Sequence, residues 1–551
     1  MSKSLLTIVL TLFVLSIAAE DLVYLEHSET LSFDKQAYAG AQLLVGNVIF
    51  RHDSALMYCD TAYFYESQNT LHAYGHVRMV QGDSIKGYAR KMFYNGETKF
   101  ARFIGNVRLY RNADTLRTDT LNYNRAAGYA YYTCGGTLKD SLNVMTSRIG
   151  NYNTTTSQAR FTGEVHLVNP KFTLETELLD YNTKTKIADL VAPTDILYEE
   201  ETTIYTSRGT YNTDTEESVL LNRSVVHNQN GIRMTGDTIY YDKKVGYGRI
   251  HGAMEMIDST NYTTLYGDYG EMKEEHNRGY ATGKALMEEW GDSLHHAYTH
   301  ADTLFTEDVP TNDTAFRRIR AYYGVRMYRY DFQAVCDSLV YTTEDSVITL
   351  YQEPRCWNEN NQMSADTIRV YIVNDAVDHI HGKGAALAVR ESSSEYYDQM
   401  AGKEIFAYIV EGEMRQLDVN GNAETIYYPQ EEQIDSTAAP EYLGMNRTIC
   451  SHVRFFLENE EIDHVLFTSE TTGVMYPLDQ IPPGEDRLSG YFWAEQERPT
   501  SPMDVLNPTR RLERPSTATK SAADVVEEDS EAVRTAKENR KAKIKERNKA
   551  H

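Results

Sequence analysis

Cysteine is scarce in this chain of 551 residues, with five scattered positions and no Cys-x-x-Cys pair. A disulfide framework would be denser in an exported protein, so none organises this one. Cys59, Cys134, Cys336, Cys356 and Cys450 are read as buried thiols, with one or two bridges left open. Positive charge is also short: 55 Lys and Arg face 80 Asp and Glu, a formal charge of −25. No basic face dominates, which argues against nucleic acid as a partner. Beyond the N-terminus no apolar run is long enough to span a membrane as a helix. The signatures of a nucleophile elbow, a phosphate-binding loop and a His-Glu-x-x-His zinc helix are missing, so neither an enzyme nor a cofactor is expected. Trp (3) and Pro (13) are few, whereas Tyr reaches 41. Tyr suits pleated, half-buried surfaces, and 41% hydrophobic residues suffice for a core, so the expectation is an all-β chain.

The first nineteen residues read as a cleavable export signal. Lys3 precedes an apolar run over Leu5 to Ile17, and Ser16-Ile17-Ala18-Ala19 offers a small-residue cleavage site. An uncleaved anchor is the alternative. An extracytoplasmic location follows.

What the chain has in abundance is self-similarity. Gly46-Asn47-Val48 recurs as Gly75-His76-Val77, Gly105-Asn106-Val107 and Gly163-Glu164-Val165, with looser copies at Gly252-Ala253-Met254, Gly283-Lys284-Ala285 and Gly324-Val325-Arg326. The spacing is about 30 residues, a period typical of stacked repeats. The interval from Gly105 to Gly163 is doubled, with Gly135-Gly136-Thr137-Leu138 near its middle. A second element runs through Asp60-Thr61, Asp119-Thr120, Asp237-Thr238, Asp302-Thr303, Asp337-Ser338 and Asp366-Thr367, each followed by aliphatic and aromatic or β-branched residues. Asp and Thr suit a turn entering a strand, because their side chains bond nearby backbone.

Around both elements the alternation has period two. Val77 and Met79 share a face, as do Val107 and Leu109, Val165 and Leu167, Met254 and Met256, Leu121 and Tyr123, and Ile239 and Tyr241. Arg78, Arg108, His166 and Glu255 take the other face. That is the pattern of strands with one apolar and one wetted side. Each repeat should supply two to four short strands, and stacking them buries an apolar interior between two sheets.

Gly-Asn-Val-x-Leu followed by Asp-Thr-Leu-x-Tyr, repeated over approximately residues 35 to 425 behind an export signal, resembles the OstA/LptA-like periplasmic lipopolysaccharide-transport family, in particular its long multi-repeat OstA-like members. The resemblance implies an elongated β-taco or β-jellyroll of stacked antiparallel strands. It implies an apolar groove holding the acyl chains of lipopolysaccharide or a related glycolipid, lined here by Val77, Met79, Val107, Leu109, Leu121, Tyr123, Val165, Leu167, Ile239, Tyr241, Met254 and Met256. It further implies other lipopolysaccharide-transport proteins as partners through edge strands, and end-to-end self-association. The alternative of another class is a structural or adhesive β-solenoid that binds protein or polysaccharide.

The expected organisation is a signal peptide over 1–19, OstA-like repeats over 20–305 and 319–425, a divergent β region over 426–496, and a Pro-rich linker with a charged tail over 497–551. Residues 307–318 should interrupt the repeat near Pro310. Gly382-Lys383-Gly384 reads as a turn, and Glu199-Glu200-Glu201 as a solvated one. Asp378, His379 and His381 could approach a metal, and strand spacing puts His379 and His381 on one face, but no convincing third ligand joins that pair, so no metal site is assigned. Arg78, Lys86, Arg90, Arg102 and Arg108 cluster in the early repeats, as charge balance on a wet face or as contacts to lipid phosphates at a groove rim.

Overall fold

A computed structural model describes residues 22–33, 40–199, 201–291, 296–311, 314–374, 376–430, 442–458 and 461–506. The export segment and residues 507–551 lie outside the described residues. The chain divides into two compact units, 1–226 and 227–551.

In the first unit the 30-residue repeat is a hairpin of two long strands rather than several short ones. Gln42–His52 is followed by Ala55–Tyr65, Thr70–Gln81, Ile85–Asn95, Phe100–Arg111 and Asp114–Asn124. Each pairs antiparallel with the next. The recurring glycine sits in mid-strand. Gly46 (φ 88°) and Asn47 (φ 44°) both adopt left-handed backbone, and the register jumps from Val45↔Thr61 to Val48↔Cys59, so the pair opposes Asp60 alone. This bulge turns the strand. Its two halves therefore lie in two facing walls, and the row of bulges forms a spine. We call the wall holding Thr70 to Tyr74 wall 1 and that holding Val77 to Gln81 wall 2.

The Asp-Thr element does not open a strand as expected; it too lies in mid-strand, facing the bulge. A Cβ on Gly75 would collide with the Asp60 carboxylate, one on Gly252 with Asp237, and one on Gly384 with Asp366. Glycine is required there both for its positive φ and for this close approach. At these three copies the two recurring motifs are the two sides of one cross-strand contact, whereas Gly105 and Gly163 pack against Arg90 and Arg148.

The structure also supplies copies the motif search missed. In the doubled interval the strand breaks at Cys134-Gly135, between Tyr129–Tyr132 and Gly136–Lys139. The next copy breaks before Pro193, between Ile187–Leu190 and Thr194–Tyr198. In Glu217–His227 the bulge is Asn222-Arg223, with φ of 60° and 55°; Asn tolerates that region better than most residues. In the second unit, Gly384-Ala385 and Gly421-Asn422 play the same part within Ala376–Glu391 and Glu413–Tyr427. Gly382-Lys383-Gly384 is accordingly strand, not turn. Residues 307–310 and 315–318 likewise belong to the strands Ala297–Pro310 and Ala315–Arg329.

The inner faces of the two walls meet in a core. Phe50 of wall 2 packs on Phe64 of wall 1 with ring centroids 5.2 Å apart, and Phe172 on Tyr211 at 5.0 Å. In the second unit the outer face of wall 2 is buried as well. Residues 486–505 lie over it, held by glutamines that bond backbone as another strand would. Gln362 donates to the Phe492 carbonyl (2.7 Å) and accepts from the Ala494 N–H (2.7 Å). Gln399 does the same to Asp486 (2.9 Å) and Leu488 (2.8 Å). This explains why Gln333, Val335, Trp357 and Gln362 are buried on what would otherwise be a wet face.

Candidate functional site

All twelve residues expected to line the interior point inward, and none is more than 6% exposed. Val77, Met79, Val107, Leu109, Leu121, Tyr123, Val165 and Leu167 lie in the first unit; Ile239, Tyr241, Met254 and Met256 lie in the second. Arg78 and Arg108 are exposed and His166 and Glu255 half-buried on the opposite face. Alternation within a strand is enough to produce this division.

The interior is filled by the chain itself. A cavity beneath Cys356, Met363, Met400, Leu417 and Phe455 holds about 40 Å³, and one beneath Met256, Leu265, Met272 and Leu304 about 20 Å³. Spaces of that size admit a few water molecules at most. An acyl chain could enter only if the walls moved apart.

How the walls are joined therefore decides access. At the spine they share continuous backbone. At the opposite side, where the hairpin turns of the two walls face each other, side chains make the closure. His52 Nδ1 lies 2.6 Å from Tyr94 Oη, and Asp53 forms ion pairs with Lys99 (2.9 Å) and Arg125 (3.3 Å). Arg111 donates to Tyr152 (3.1 Å) and Ser157 (2.8 Å), while Asp114 accepts from Tyr152 (2.7 Å) and Thr183 (2.9 Å). Asp140 accepts from Tyr181 (2.7 Å) and Lys186 (2.7 Å), and Asn143 donates to Tyr181 (2.8 Å) and Thr213 (3.0 Å). Lys171 and Tyr198 close on Glu216. In the second unit Asp258 receives Arg317 at 3.0 Å.

The seam has a distinct electrostatic character. The side chain of Asp140 has no exposed surface. Burial pushes its carboxyl up, but Lys186, the Asn143 N–H, Tyr181 and the Leu142 N–H together outweigh this and hold it below the usual carboxylate range. Asp53, bonded by Lys99, is lowered too. Burial drives the Tyr152 phenol up to about 12. These residues escaped the sequence reading because Asp140 and Asn143 look like any turn and their partner Tyr181 lies 41 positions away from Asp140. The usable signal was polar residues beside turns, recurring at offsets other than the repeat length.

The remaining candidates resolve into ordinary packing. His379 stacks on Tyr371 at 4.0 Å and His381 on Phe406 at 4.0 Å. All five cysteines are free thiols; four are buried and Cys134 is exposed. Glu199 and Glu201 are exposed beside a turn.

Comparison with known proteins bears on the first repeats. Residues 20–177 match the model of the OstA-like protein family. Among solved structures, LptH of Pseudomonas aeruginosa, the LptA-homologous periplasmic component of the lipopolysaccharide transport device, aligns at 16% identity over 28% of this chain and 82% of its own, with a TM-score of 0.14. No curated protein matches the chain. The repeats over residues 20–177, where glycine bulges lie in mid-strand, are thus similar to the OstA-like protein family.

Proposed function

We propose that this protein is an extracytoplasmic binding protein, not an enzyme, that carries lipopolysaccharide or a related glycolipid by holding its acyl chains between the two walls and moves it towards the outer membrane. The observation behind the reading is an apolar interior whose walls share backbone at the spine and are closed at the turns by side-chain bridges. Parting those bridges opens a slot along successive hairpins without breaking a strand pairing. Each methylene that leaves water contributes roughly 0.8 kcal/mol, so several acyl chains can offset the loss of the bridges. Apolar contact is weakly directional, which lets a chain slide from one repeat to the next.

Edge strands supply the docking. Among the described residues, Tyr24–His27 and Thr30–Phe33 pair along one side only, with Gln42–His52. Tyr24, Leu31 and Phe33 are exposed there. Such an edge accepts a strand from another transport component or from a second copy of this chain.

The filled interior favours a rival, a plain β-scaffold, and the experiment is chosen to separate the two. A photo-crosslinking residue at Val107 should label glycolipid in cells, and one at Glu255, on an outer face away from the interior, should not. Purified full-length protein should yield glycolipid on extraction and mass spectrometry. No glycolipid at Val107, together with no uptake of a fluorescent acyl probe, would leave the scaffold.

A further inference from the structure

Among the described residues, none lies over the outer face of wall 2 in the first unit as residues 486–505 do in the second. We propose that this outer face of wall 2 is a binding site for the phosphorylated saccharide head of the same glycolipid; the choice of cargo rests on the function proposed above.

The site is a ladder across five strands. Tyr58 pairs with Arg78, Arg78 with Tyr88, Tyr88 with Arg108, and Arg108 with Arg117. Neighbouring rungs are about 4.8 Å apart. The Arg78 guanidinium lies 4.0 Å from the centre of the Tyr58 ring, and Tyr88 meets Tyr110 edge-on at 5.7 Å. Lys86 stands opposite Tyr110 in the adjoining row. Tyr58, Arg78, Lys86, Tyr88, Arg108 and Tyr110 line an open hollow of about 1020 Å³. Arg90, packed over Gly105, bounds it at the spine; Asp83, Ser84 and Asn112 bound it at the turns. A head group leaving the seam beside wall 2 would lie over it.

Charge balance does not account for this cluster. Several other outer-face cations meet carboxylates across the strands: Arg160 with Asp180 at 2.6 Å, Arg233 with Glu255 at 3.2 Å, Arg454 with Asp418 at 2.8 Å. Arg78, Lys86, Arg90 and Arg108 have no ion-pair partner among the described residues. Arg108 and Arg117 face each other directly, an arrangement that is unfavourable without a counter-charge. The acids in the hollow are Asp83 at the turns and Asp60 at the spine, the latter bonded by His76 at 2.8 Å. In a chain of net charge −25 an uncompensated cationic hollow is a selective feature. Guanidinium forks bind phosphate in a bidentate manner, and tyrosine faces pack against the C–H surface of sugar rings. A neutral sugar would use the tyrosines and leave the arginines unmet.

The probe is a deacylated glucosamine disaccharide bisphosphate, titrated calorimetrically into the full chain, with its dephosphorylated form alongside. The phosphorylated sugar should bind and the dephosphorylated one should not. Arg78→Glu with Arg108→Glu should weaken binding by roughly tenfold or more, and Tyr88→Ala by less. Arg160→Glu, on an outer face of the same unit with its arginine paired, should leave binding unchanged. Equal binding of both sugars, or full binding by the double variant with its β circular dichroism intact, would overturn the site. An acylated, phosphate-free probe cross-linked at Val107 reports the interior separately. If it fails while the sugar bisphosphate binds, carriage falls and the head-group site stands.

Discussion

Asp140 is the strongest test of the seam. Its carboxylate accepts from Tyr181 Oη (2.7 Å), Lys186 Nζ (2.7 Å), and the backbone N–H groups of Leu142 (2.8 Å) and Asn143 (2.6 Å). Asp140→Ala strands a partly buried ammonium and two turn N–H groups. Breaking a buried pair from one side costs about 3–5 kcal/mol. The lower end is expected here, because Lys186 retains 16% side-chain exposure and can turn to water. Asp140→Asn should cost less, since its Oδ1 still serves the turn. A repeat structure need not unfold in one step. The readout is therefore local: hydrogen exchange by mass spectrometry over 140–143, 181–186 and 213, with 92–95 as the distant reference. Exchange should rise in the first set only, and uptake of an acyl probe should quicken. The folded pKa is lowered, so this contribution is present above the unfolded-chain value of about 4 and is lost as pH falls through the folded value. Asp140→Asn should be flat across that acid window. A local loss under about 0.5 kcal/mol, within the range of ordinary surface changes, would refute the claim that side chains hold the seam.

Gly75→Ala should cost about 1–2 kcal/mol for the left-handed backbone, plus a contact with Asp60. Adding Asp60→Ala should recover the contact part and leave the backbone part, as a double-mutant cycle in urea will show; strict additivity would contradict the pairing of the two motifs. A thiol reagent on native protein should modify Cys134 first, because burial pushes the Cys59 and Cys356 thiols up to about 12. Equal rates at all five would mean a looser core than described. Gln362→Leu leaves the Phe492 carbonyl and the Ala494 N–H unmatched, at about 1–3 kcal/mol each. Limited proteolysis between 486 and 505 should accelerate, and an unchanged rate would show that the glutamines do not anchor the covering segment.

Under the function proposed above, the closed interior and the cationic hollow would answer different parts of one recognition problem. A glycolipid has an apolar body that gains by leaving water and a charged head that loses heavily if buried unpaired. The molecule keeps the two needs on opposite faces of the same wall: Val107 inward with 1% exposure and Arg108, its neighbour, exposed to the solvent side. On that proposal a single strand would address both halves of an amphipathic ligand.

Some of this was readable from residues alone, and some was not. The all-β class, the repeat of about 30 residues and the inward faces of Val77, Met79, Leu121 and Tyr123 follow from period-two alternation, which is written within each strand and needs no partner. The glycine and Asp-Thr motifs were visible, but not that Asp60 packs on Gly75 from the next strand, because register is a property of pairs. Whether the trough stood open or shut, which turns met across the seam, and that Gln362 and Gln399 would hold a segment from well over eighty positions away were settled only in three dimensions. Alternation is a local steric rule, whereas closure depends on which distant turns the stacked hairpins bring side by side.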